Sequence, residues 1–114
     1  MAVFNMMFPV LPGREDDARK FAEEALGSHR RHFEGVQKGT GTSRETWTIQ
    51  ETPAGTVVLV WGEGDDVEAG FEYMATATGE DIEWMRGRIK DVSGIDMTEP
   101  DDGPLPDVIL DWSA

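Results

Sequence analysis

A chain of 114 residues with a formal net charge of −13 and no cysteine is the size of one domain with a real core. It excludes disulfide frameworks, thiolate nucleophiles and Cys-ligated metal centres. Arg30-Arg31 is too small a cluster to overcome the acidic balance, so neither nucleic acid nor an anionic membrane surface is an expected partner.

The N-terminal stretch MAVFNMMFPV has no basic leader, and no apolar run approaches the roughly 20 residues that span a bilayer. A soluble cytoplasmic protein is expected. VFNMMFPV (3–10) reads as a strand closed by Leu11-Pro12-Gly13, a turn signal. Glu15, Asp16 and Asp17 then suit the first turn of a helix, whose apolar spacing continues to about Val36. After the loop KGTGTS, the alternating RETWTIQE, the turn Thr52-Pro53-Ala54-Gly55 and the run TVVLVW predict a β-hairpin.

Asp65-Asp66 can cap a second helix, VEAGFEYMATA, and Thr78-Gly79 breaks it before EDIEWMRGRIKDV. In that last segment Ile82, Met85, Ile89 and Val92 share a face that Trp84 does not. Residues 93–106 read as an acidic, Pro/Gly-rich loop, and VILDW (108–112) as a closing strand. The loop is rich in oxygen ligands but lacks the order of an EF-hand.

The expected fold is therefore α+β and ferredoxin-like. It is a βαββαβ domain over residues 1–114, with a four-stranded antiparallel sheet and helices on one face. In the third strand Val57, Leu59 and Trp61 point one way and Val58 and Val60 the other. Helices cover only one of these apolar faces, so a homodimer packed sheet to sheet is expected.

On a continuous first helix, Ala18, Phe21, Ala22, Ala25, Leu26, His29, His32, Phe33 and Val36 fall on one arc, which turns both histidines inward. Two readings stand side by side. Either His29 is a satisfied core residue and His32 a flank residue, or the small alanines leave a pocket whose polar features are the two imidazoles. In the second reading His29 and His32 are candidate acid/base groups, with Tyr73 a weaker proton donor on a helix beside Phe71 and Met74. A metal is not expected, because a catalytic zinc needs a third ligand and neither His follows a Glu at three residues.

Asn5 interrupts the apolar first strand and is either backbone-paired or part of a binding surface. Trp47, Trp61 and Phe33 are packing residues or ligand-binding ones. The glycine-rich GEGDD and GTGTS lack the pattern of phosphate loops, and no serine sits in a hydrolase elbow.

The phrases FPVLPGRED, SRETWTIQETPAG and GPLPDVILDW resemble a family of small single-domain bacterial proteins within the dimeric α/β-barrel group of ferredoxin-like folds. The resemblance implies a pocket between sheet and helices. The wider group uses that pocket for cofactor-free oxygenation of phenols, for cyclisation or isomerisation, and in one branch for haem. Asn5 and Trp61 are similar to residues that shape the haem-degrading branch's site, but the second helix has no His to ligate haem, so no cofactor is expected.

The functional expectation is a homodimer that binds a small apolar or aromatic molecule, with or without cofactor-independent monooxygenase, cyclase or isomerase chemistry on it. The alternative is a non-catalytic dimeric module that binds a protein partner through the acidic loop 96–106 or through Trp84.

Overall fold

The computed structural model describes residues 2–99 and 105–114. The first apolar run forms strand β1 (Ala2–Pro9), and the hairpin forms β2 (Thr42–Thr52) and β3 (Gly55–Gly64). Gly55 closes the hairpin with φ +126°, a backbone conformation that glycine adopts without a Cβ clash. β3 lies in the middle, antiparallel to both neighbours, in the order β1-β3-β2.

Register decides which side chains share a face. Met6 stands opposite Val60, and Val60 opposite Trp47. This set, with Phe4, Phe8, Val58, Glu45 and Ile49, points towards the helices. Asn5 stands opposite Trp61, and Trp61 opposite Thr46, so Asn5, Met7, Leu59, Trp61, Thr46 and Thr48 occupy the outer face.

The expected first helix is two helices, α1 (Glu15–Leu26) and α2 (Arg30–Thr40). The break falls at Gly27-Ser28-His29, where glycine and serine, both weak helix formers, follow one another. The Gly27 amide bonds back to the Glu24 carbonyl, and α2 restarts with His29 at its N-cap. The break resets the helical phase, so a single apolar arc through residue 36 does not exist.

The second helical region divides into α3 (Val67–Thr76) and α4 (Glu80–Ser93). Asp66 caps α3 by accepting the Ala69 amide at 3.1 Å. Its C-terminal end is held by Arg86 of α4, whose Nε donates to the Met74 carbonyl and whose terminal nitrogen donates to that of Ala77, each at 2.7 Å. These carbonyls have no acceptor role left inside the helix, and a guanidinium complements the negative end of the helix dipole. Arg86→Met is expected to lower stability by about 2 kcal/mol, the scale of hydrogen bonds to a charged group, as read from urea denaturation.

The core is built mainly from helices. Ile82, Met85, Ile89 and Val92 of α4 are all buried, against Phe21 of α1 and Val36 of α2. The predicted stripe on the last helix is thus the central one. Arg88 ties α4 to α1 through Glu24 at 2.9 Å, with both side chains largely covered.

The ferredoxin-like expectation is overturned at its last element. Among the described residues there are four helices and a three-stranded sheet, and 108–112 form no strand. The chain is α+β without the βαββαβ order. VILDW has the β-branched composition of a strand, but composition marks a capacity to pair and supplies no neighbour. Pro106 lies near Asn5, Met7, Leu59 and Trp61 of the outer sheet face, and the segment that follows pairs with no strand. Residues 105–114 are exposed throughout. No described helix is long and apolar enough to cross a membrane.

Candidate functional site

Between the inner sheet face and the helices lies a cavity of about 380 Å³. It exists because α1 presents Ala18 and Ala22 towards the sheet, and side chains this short do not span the gap between the layers. Helix α1 packs on α2 and α4 instead. Consistent with this, Phe4, Met6, Phe8, Trp47 and Ile49 of the inner sheet face are only half-buried.

The walls are largely apolar, with aromatic rings at both ends. Phe21 packs on Trp47 with ring centroids 4.8 Å apart, and Phe33 meets the same indole edge-on at 5.7 Å. At the other end the Phe4 ring meets Phe71 edge-on at 6.2 Å. Phe4 lies over Gly62, where any Cβ would strike its ring and the Arg44 carbonyl. The absent side chain at 62 is what lets that wall form.

Glu45 is the group with chemistry in this space. It lines the cavity on β2, and the Trp47 indole Nε1 donates to its carboxylate at 2.6 Å. Burial pushes the Glu45 carboxyl above the usual carboxylate range, while hydrogen bonds from Trp47 and Gln37 oppose the rise. A carboxyl in apolar surroundings favours its neutral form, which donates as well as accepts. Gln37, Thr40 and Thr42 line the cavity with it, and the two threonine hydroxyls are hydrogen-bonded at 2.7 Å. Exposed Arg19, Glu23 and Asp66 also border the space.

The histidines lie elsewhere. Neither is among the cavity's lining residues. His29 stacks on Trp84 with centroids 5.3 Å apart and planes within 4°, and its Nδ1 is 3.0 Å from the Ser28 hydroxyl. His32 Nδ1 is 2.7 Å from Asp81 of α4, and the Asp81 carboxylate occupies the space a side chain at Gly35 would take. The pair therefore joins α2 to α4 on the helical side of the molecule.

The remaining expected residues divide between two faces. Trp47 borders the cavity, with Phe33 packed against it. Asn5 and Trp61 lie on the outer face, where the Arg44 guanidinium stands 5.4 Å from the Trp61 ring centre. Tyr73 lies directly over Gly39, which has no side chain to obstruct it, and is not part of the cavity lining. Trp84 is half-buried against Phe21 and His29. The acidic loop 96–106 lies partly outside the described residues. Among those described, no three His, Asp or Glu side chains converge as metal ligands.

Glu45 was the missed residue. In RETWTIQE it shares the parity of Trp47 and Ile49, so a charge on the apolar side of an alternating strand was its signal.

Comparison with protein-family models, curated proteins and solved structures finds no significant match in any of the three.

Proposed function

We propose that this chain binds a small, mostly apolar or aromatic molecule in the cavity between α1 and the sheet, with Glu45 as its polar anchor and proton-transfer group. The observation that carries this reading is a carboxyl raised by burial in an apolar-walled space of about 380 Å³, within the size range of small-molecule sites. A neutral carboxyl there donates a hydrogen bond to a ligand oxygen, and the carboxylate form accepts a proton from a phenol or from a carbon beside a carbonyl. The chemistry requires no cofactor. The same reading includes a second copy of the chain covering the outer sheet face, where Met7 and Leu59 are exposed.

The test uses 1-naphthol as probe, followed by quenching of tryptophan fluorescence and by native mass spectrometry. Ala22 lines the cavity, so Ala22→Phe is expected to fill it and weaken probe binding at least tenfold, one unit of about 1.4 kcal/mol. His29→Ala, away from the lining, is expected to leave the affinity unchanged. Equal binding by the parent and Ala22→Phe, or loss of binding in His29→Ala with the fold intact, would overturn the reading.

A further inference from the structure

The least expected feature of this molecule is its C-terminal segment. Ile109 is 96% exposed, Leu110 79% and Trp112 77%, with Leu105 and Val108 about half exposed. Scattered apolar residues on a surface are ordinary, but a contiguous run of large ones marks an interaction site.

The same chain leaves a second apolar surface open. On the outer sheet face Met7 is 62% exposed and Leu59 38%, and Trp61 lies beside them on the strand that pairs with β1. Pro106 already rests at this face, yet the residues beyond it are exposed. Each chain therefore carries one apolar tail and one apolar receiving face, and both are left largely exposed in a single copy.

We propose that the C-terminal segment 105–114 of one copy docks across the outer sheet face of a second copy, reciprocally about a two-fold axis. This rests on the pairing included in the reading above and specifies what makes the contact. A two-fold exchange satisfies both surfaces of both chains at once. Extended at about 3.3 Å per residue, the stretch after Pro106 reaches roughly 26 Å, enough to cross a neighbouring three-stranded sheet.

Val108, Ile109, Leu110 and Trp112, the large side chains after Pro106, offer on the order of 450 Å² of apolar surface. Matched on the receiving face and doubled by symmetry, this gives on the order of 1,800 Å², within the range of about 1,200–2,000 Å² for stable interfaces. The partner must be another apolar surface, because the segment supplies only Asp107 and Asp111 as charges. Two chains of net charge −13 repel one another, so the pair is expected to tighten as salt is added.

The test combines sedimentation equilibrium with photo-crosslinking. The parent is expected to sediment as a dimer. Leu110→Asp, at a position 79% exposed in the single chain and outside the core, is expected to weaken the dimer at least roughly thirtyfold, the scale of an interface hot spot. For the crosslink, a benzoylphenylalanine in place of Ile109 is introduced into unlabelled protein, which is mixed with ¹⁵N-labelled parent and irradiated.

Crosslinks from the unlabelled tail to labelled β1 or β3 peptides support the exchange. A dimer that persists in Leu110→Asp, or crosslinks confined within one chain, would overturn the tail exchange while leaving the pairing itself in place. A parent that is monomeric at all concentrations and salt levels would overturn both.

Discussion

Ile82→Ala is expected to lower the unfolding free energy by about 3–4 kcal/mol, in the upper part of the range for truncating a buried isoleucine. Ile82 is fully buried in the cluster that joins α1, α2 and α4, with Phe21, Val36 and Met85 around it. Two terms add: the lost transfer of the side chain from water, and the cavity left where three helices prevent collapse. The size of the effect follows from where the core lies. The sheet meets this cluster through part-buried side chains such as Phe8, Trp47, Ile49 and Val58, so the fully buried packing lies mainly on the helical side. A domain of this size has about 5–15 kcal/mol in total, so the melting temperature should fall by more than about 10 °C. Calorimetry and urea titration of the variant check it. A loss below about 1 kcal/mol would mean that the helical cluster is not the centre of the core.

Glu45→Gln is expected to act on binding and on pH dependence in opposite senses. For binding, the parent should prefer 1-naphthol over 1-methylnaphthalene, because only the naphthol hydroxyl reaches the carboxyl. The variant should lose about tenfold of that preference, the upper end of the scale for one hydrogen bond. For stability the sign follows from the raised carboxyl. The native state holds this proton at pH values where the unfolded chain has released it. Stability from this group is therefore greatest in acid, and it declines as pH climbs from the ordinary carboxylate range through the folded value. Glutamine removes that decline, so the variant should gain on the parent between pH 4 and pH 7 while binding naphthol less well. Glu23 and Asp66 line the same cavity but are exposed, and they remain in both proteins. Melting temperatures at the two pH values, with probe titrations alongside, give both readouts. A variant that keeps the parent's naphthol preference would remove Glu45 from the site.

How much of this was legible in the sequence differs by element. The stripe Ile82, Met85, Ile89 and Val92 predicted its own burial because helical period and burial coincide over a long segment. The hairpin was legible because Pro53-Ala54-Gly55 interrupts two strand-like runs, and Gly55 does adopt a positive φ. The break at Gly27-Ser28 was hidden, since one weak helix former after another lowers propensity without forbidding a helix. Helical phase carried past the break puts His29 and His32 on an inward arc, whereas the two separate helices leave them outside the cavity lining. The tail was misread for a different reason. VILDW states a preference for extended backbone, while pairing depends on a neighbour that no local pattern encodes. Glu45 was visible by parity alone, but one charged residue on the apolar side of a strand is easily discounted beside two conspicuous histidines.

Helix α3 is anchored differently from its neighbours. It contains no fully buried residue, yet Val67, Gly70, Phe71 and Met74 form part of the chamber wall. What fixes it is polar and terminal: the Asp66 cap at one end and the Arg86 guanidinium at the other. Its side chains Phe71, Tyr73 and Met74 pack only part-buried against neighbouring elements, and a segment of this kind opens more readily than a fully buried one. Of the elements around the chamber, α3 is therefore the one expected to exchange its amides first, ahead of the buried face of α4.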